Sequence, residues 1–455
     1  MSPGLAETAT AILERARPST EQAEVFASEV STTSMRWLNG ELEYERLVTN
    51  RGVGLRVVAG DRYGYSYSSA LDPAGVETLV GLARDAAAAN RGSAGYRLPP
   101  RSELPVPVVS GLCHPAALGT TTADRHELPA RVAGVLGEIT DAAAPPVRVQ
   151  RMLCVDNHGR RSITSSTGVA GSYQVSGVSL WIELLTDGRS SHAFANGRSL
   201  WDLDLRADLG AAVARLARTA GPPQPAEGVA TIVLSPPAAA SLIGAIVPAL
   251  TGEAVRKGHS HLAGSLGRPI AGTLLTIDDD PLDVRGMSAR PFDDEGTPSA
   301  PLRLLDCGIL TSFLHNYATG LAGGTESTGH AFRSSYRSTP EVAPTNLVVR
   351  TGKLSTSELV RAAEPCLYVD EWHGGRATSS RAHTGRFSAV LSGTWWRGGG
   401  WAGPAEPVGV AGRIEDLLRR LVLVGAELGT ELSNSYTVRT PALAFEGVRL
   451  SGRQR

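Results

Sequence analysis

In "TGEAVRKGHSHLAG" two histidines, His259 and His261, stand one residue apart, shortly after Glu253. Imidazole nitrogens and carboxylates are the ligands zinc takes, and in a strand residues i and i+2 share a face, so an HxH pair there can chelate. Glu253, His315, His330 and several aspartates are all available as a third ligand, and no spacing singles one out. HxH is too short to specify a metal by itself, so a polar loop at a surface or cleft edge is the simpler reading and a novel metal site the sharper one.

Carboxylates form the second constellation. "IDDDP" (277–281) and "FDDEG" (292–296) place six acidic residues in a short span. Paired carboxylates can move protons or hold hard cations. Aspartates at strand ends also cap turns and pair with arginines such as Arg285 and Arg290, and this structural role is the expected one. No serine sits in a GxSxG elbow, and the glycines of "AGGTESTGHA" and "RGGGWAG" lack phosphate-loop spacing, so neither a serine hydrolase nor a nucleotide site is expected. His330, in "STGHA", has a glycine beside it that leaves backbone open to a ligand, although its simplest task is a hydrogen bond that holds the loop. In "LSGTWWRGGGWAG", Trp395 and Trp396 must point to opposite faces of a strand, one into the core and the other, with Trp401, toward a partner or cleft wall.

The elements that would position these groups follow from periodicity. The 455 residues exceed one ordinary core, so two domains are expected. A hydrophobic content of 42% and a net charge of −1 describe a soluble globular chain with no electrostatic footprint for nucleic acid or anionic membrane. Cys113, Cys154, Cys307 and Cys366 are far apart and form no CxxC, which fits free thiols in a reducing compartment. With no signal-peptide core and no membrane-length apolar run, the expected location is cytoplasmic.

Leu5, Ala9, Ile12, Leu13 and Ala16 share one face of a helix over 5–17. Short β-rich runs follow, with turn signals at Asn39-Gly40, Asn50-Arg51-Gly52 and Gly60-Asp61, and then a helix with Asp72 as N-cap and Pro73 at its first position. A second helix is expected at about 121–141. The Gly/Pro cluster at 221–228 separates a domain at 1–224, an antiparallel sheet with helices, from one at 225–455. The latter reads as mostly β, with a long apolar helix "PAAASLIGAIVPALTGEAV", a highly curved sheet and a closing helix "RIEDLLRRLVLVGAEL". The fold class is α+β.

The segment from "AVRKGHSHLAG" through "TIDDDP", "PFDDEGTPS", "DCGIL" and "STGHA" resembles the TldD/TldE (PmbA) family, and "STTSMRWLNGELEYERLVTNRGVGLRV" is similar to that family's first domain. The resemblance implies a zinc peptidase subunit of TldD type and a TldE partner. The TldD type carries HExxxH on the helix before the RKG turn, with a later cysteine completing the site. Counting back from Arg256-Lys257-Gly258, those positions hold Ile243, Gly244 and Pro248, none of which binds zinc or moves a proton, and 430–440 has no cysteine. The chain therefore resembles TldE.

The implied function is that of a metal-free, non-catalytic subunit, with no cofactor of its own and with zinc in a TldD-like partner. Together the two would cleave unfolded or small modified peptides, as in maturation of a peptide natural product. Substrate backbone is expected near 375–391, with His330, Ser379, Ser380 and Gly385 as candidate contacts. The alternatives are a stand-alone peptide- or intermediate-binding protein, or a peptidase whose metal has moved to His259 and His261.

Overall fold

Alternation of buried and partly open positions along 148–197, with continuously buried runs at 23–28 and 52–58, builds one six-stranded antiparallel sheet. Its strands are β1 (Gln22–Leu38), β2 (Glu41–Ala59), β3 (Arg62–Ser68), β4 (Arg148–Ser165), β5 (Ala170–Thr186) and β6 (Arg189–Gly197), in the order β3-β2-β1-β4-β5-β6. The computed structural model describes residues 4–60, 62–90, 96–140, 146–374, 384–433 and 435–452. Asn39 and Gly40 close the first hairpin at φ 50° and 86°, the left-handed region this turn requires. The second expected turn is absent. Asn50, Arg51 and Gly52 lie within β2, opposite Val30, Glu29 and Ser28, and Gly52 serves a close approach, because a Cβ there would overlap the Tyr336 ring.

The helices Leu5–Ala16 and Pro73–Ala89 cover one face of this sheet. Ile12, Leu13, Leu79 and Ala83 pack on Val25, Val53, Leu55 and Val57. Asp72 caps the second helix by accepting from Gly75 N at 2.8 Å. The helix expected at 121–141 is two, Thr122–His126 and Leu128–Ile139, with Pro129 in the first turn of the second.

The chain forms two compact units. The first comprises Met1–Val213 with Arg290–Ser299 and Asn316–Glu341; the second comprises Ala214–Ala289, Ala300–His315 and Val342–Arg455. Residues of "PFDDEGTPS" and "STGHA" thus belong with the N-terminal sheet.

The second unit is mostly β. One sheet runs Gly400–Pro404, Arg386–Arg397, Cys366–Gly374, β7 (Gly228–Leu234), Leu443–Leu450 and Leu421–Val424, with Val408–Arg413 also paired to Arg386–Arg397. A six-stranded sheet orders Ile309–Leu310, Leu302–Asp306, Ile277–Asp279, Asn346–Val349, Thr437–Thr440 and Gly429–Leu432. The class is α+β, an antiparallel N-terminal sheet followed by a mostly β region.

Three finer expectations are corrected. The long apolar helix is an 11-residue helix, Pro236–Ile246, followed by a 3-10 turn, Val247–Leu250, and a short helix, Gly252–Arg256. Pro248 has no N–H to continue the ladder, and its ring crowds the carbonyl four residues back, so the α-helix stops before it. The strand order is that of open sheets, and no strongly curled sheet is present among the described residues. The closing helix is confined to Ile414–Leu418; Leu421–Val424 is a strand on Leu443–Leu450, where its apolar side chains find a pleated partner.

Candidate functional site

The segment that the resemblance ties to metal is anchored by the core of the second unit. Ser235 caps the helix Pro236–Ile246 by accepting from Ala238 N, and Ala238, Ala239, Leu242, Ile243 and Ile246 are buried in the core. The helix packs on the strands Gly429–Leu432 and Thr437–Thr440, so the two stretches implicated by the resemblance are neighbours in space. Ile243 is fully buried, and a Cβ on Gly244 would stand 3.3 Å from the Tyr436 hydroxyl. Pro248 lies in the 3-10 turn. A hydrocarbon, a bare Cα and an imino-acid ring supply no lone pair for zinc and no acid or base for water, so these residues do not fit the ion. Tyr436, on the stretch where a cysteine was sought, was not singled out in the sequence; only the fold brings its hydroxyl over Gly244.

His259 and His261 do not form a strand pair. They follow the short helix, with His259 exposed and His261 partly buried, its side chain 6% exposed against Glu415, Nε2 to Oε1 3.6 Å. Glu253 pairs with Arg256 and Lys257 on its own helix (2.9 and 2.8 Å). Hydrogen bonds first from Arg256 and then from Lys257 hold its carboxyl down at about 2. The His315 ring lies against the Cα of Gly252, where no side chain would fit. Among the described residues, no group of three or more His, Cys, Asp or Glu is arranged to hold a metal ion.

The acidic motifs are occupied. Asp279 is fully buried and accepts from Thr345 N and Asn346 N, both at 2.7 Å. Asp280 accepts from Leu282 N at 2.9 Å, closing a turn, and Asp278 pairs with Arg303.

Asp293, Asp294 and Glu295 belong to a buried ionic cluster on the sheet face opposite the helices. Register places Arg56 of β2 beside Glu24 of β1. Arg56 donates to Glu24 (2.6 Å) and Glu295 (2.8 Å), Arg333 pairs with Glu24, and Arg161 donates to both oxygens of Asp294 (3.0 and 2.9 Å). Asp293 accepts from Glu295 N, Thr297 N and Ala331 N, each at 2.9 Å, while Arg290 donates to the carbonyls of Ala331 and Gly329. Burial, then the nearby Glu295 carboxylate, pushes Asp293 up to about 6, against the pull of Arg290 and two of those N–H donors. Four acids and four arginines thus balance in charge. Arg56 was legible as a lone charge inside the apolar run "GVGLRVVAG".

His330 is fully buried, its Nδ1 2.8 Å from Thr328 Oγ1, within the same segment that supplies Ala331 to Asp293. Gly385 is buried with φ 66°, and a Cβ there would meet the His261 ring at 2.8 Å. Ser379 and Ser380 lie outside the described residues. Trp395 is in the core, whereas Trp396 and Trp401 stack edge to face at 4.9 Å and Trp401 is 43% exposed.

Comparison with known proteins agrees with this architecture. Residues 227–452 match the PmbA/TldA metallopeptidase C-terminal domain and residues 23–89 match PmbA/TldA metallopeptidase domain 1. The metalloprotease PmbA of Escherichia coli O157:H7 is 25% identical over 435 residues, 94% of this chain and 92% of that protein. A metalloprotease TldD homolog of Haemophilus influenzae is 24% identical over 365 residues, 72% and 70% of the two chains. The crystal structure of TldE from Thermococcus kodakarensis superposes with TM-score 0.85 at 20% identity, covering 98% of this chain and 100% of that one. Fold and matched domains define a metallopeptidase-type α+β protein. The chain belongs to the PmbA/TldD/TldE family.

Proposed function

We propose that this chain is the metal-free, non-catalytic subunit of a TldD/TldE-type heteromeric peptidase. One feature supports the reading: Ile243, Gly244 and Pro248 stand where the family resemblance, counted back from Arg256-Lys257-Gly258, puts the HExxxH of a TldD-type relative, and the stretch packed on that helix offers Tyr436 and no cysteine. Hydrolysis of an amide at neutral pH needs an activated water and a group to stabilise the developing oxyanion. A TldD-like partner would supply both through zinc. This chain would supply shape, polar surface and backbone for an extended unfolded or small modified peptide, including a precursor of a peptide natural product.

Co-expression with an HExxxH-bearing family member tests it. The isolated chain is expected to carry no stoichiometric zinc and to leave an unfolded peptide intact. The copurified pair is expected to hold zinc and cleave, and Ile243→His with Gly244→Glu in this chain is expected to leave the pair's zinc content unchanged. Stoichiometric zinc and proteolysis in the isolated chain would overturn the reading.

A further inference from the structure

On the sheet face that carries the ionic cluster, 333–338 crosses the strands and leaves a pocket of 280 Å³ beside itself. Bare Cα atoms at Gly52 and Gly54 permit the crossing, since a Cβ at either would collide with Tyr336. Tyr65 Oη donates to the carbonyls of Tyr336 (2.6 Å) and Ser338 (3.0 Å) and pins the segment from below.

Ser28, Asn50, Arg161, Ser334, Ser335 and Arg337 line the pocket, with Val30 and Phe26 as an apolar wall. Among the described residues, no carboxylate lines it. Asp294 stands behind Arg161, 1% exposed, with both oxygens accepting from that guanidinium. Arg337 is exposed and positioned by its neighbour, donating to the Tyr336 hydroxyl from Nε and Nη2 at 3.3 and 3.2 Å. Ser28 sits opposite Arg161 in register, so a hydroxyl and a guanidinium share one level of the sheet.

Among the described residues the pocket therefore has two guanidiniums, Arg161 with its Asp294 carboxylate and Arg337 with no carboxylate beside it, together with hydroxyl and amide groups and an apolar side. That is the complement of a singly charged oxyanion attached to a small apolar group. At roughly 30 Å³ per water it holds the equivalent of about nine waters, enough for a carboxylate and a short side chain. We propose that this pocket binds the C-terminal carboxylate of a peptide, with Arg337 as the charge partner and Ser28 and Asn50 as hydrogen-bonding walls. The oxyanion chemistry stands on the pocket alone; the choice of a peptide rests on the peptide-handling function proposed above.

Calorimetric titration of the full-length chain with N-acetyl-alanyl-alanine, its C-terminal amide and inorganic phosphate tests the assignment. The free acid is expected to bind about two- to fivefold more tightly than the amide and than phosphate. With Arg337 exposed and its ion pair screened by solvent, Arg337→Ala is expected to weaken the acid by about two- to fivefold while leaving the amide unchanged, and Arg337→Lys to restore part of the loss. Because Arg337 is exposed, an unchanged thermal midpoint in both variants excludes misfolding. Equal binding of acid and amide, tighter binding of phosphate, no binding of the acid, or a loss-free Arg337→Ala would each overturn the assignment. Partner-dependent proteolysis is scored separately, so either proposal can fail without the other.

Discussion

Replacing Glu24 by Gln removes one charge from the ionic cluster and almost no volume. Glu24 is 1% exposed and is shared by two guanidiniums, Arg56 at 2% and Arg333 at 0% exposure. Without it, four arginines face three carboxylates in a water-poor site. Breaking a buried pair in this way costs about 3–5 kcal/mol, because the orphaned cation stays desolvated. For a unit of roughly 250 residues, at about 2–4 °C per kcal/mol, the melting temperature of the first unit should fall by about 6–20 °C. Scanning calorimetry reads this directly. The Arg15–Glu77 pair, more than half exposed on both sides, is the control, and Glu77→Gln should cost no more than about 1 kcal/mol. A double-mutant cycle with Arg333→Met should recover part of the Glu24→Gln penalty, with a coupling of about 1–3 kcal/mol. If Glu24→Gln proved as mild as Glu77→Gln, or the cycle showed no coupling, the cluster would not be the desolvated network inferred from the geometry.

Gly52→Ala should destabilise by about 1–3 kcal/mol in urea unfolding, since its Cβ overlaps the Tyr336 ring. Gly210→Ala, in the helix Leu205–Arg218 with nothing within 4 Å, should stabilise by about 0.8–1 kcal/mol in the same assay. Glu253, held at about 2 from an ordinary 4.5, has a depressed folded value. Its contribution is present above pH 4.5 and lost as pH falls toward 2. Because its side chain is 34% exposed, solvent screening limits the effect to about 1 kcal/mol. The stability gap between wild type and Glu253→Gln should close over that pH window, and a pH-independent gap would contradict the ion-pair cause.

How much of this was legible follows from the range of each interaction. Asp72 as N-cap, Pro73 at the first helical position and the Asn39-Gly40 turn depend on a few neighbouring residues, and the structure contains all three as expected. The α+β class followed from period-2 and period-3.6 patterning, which is also local. Asn50-Arg51-Gly52 read as a turn because its composition is that of one. β2 instead continues through it, since pairing along β1 and the approach of Tyr336 outweigh a local preference. Leu421–Val424 fits a helix by pattern and became a strand because Leu443–Leu450 offered an edge.

By itself the amino-acid order determined the absence of ligands at 243, 244 and 248, the family resemblance and the acidic motifs, because residue identity suffices for each. Only the tertiary structure decided that His259 and His261 part company, that Tyr436 stands over Gly244, and that Glu24 and Arg56 meet Glu295 and Arg333 from more than two hundred residues away in the chain. Contacts across such separations depend on strand register and on which segment crosses which face. Those are settled by the packing of the whole unit, and no local stretch carries them.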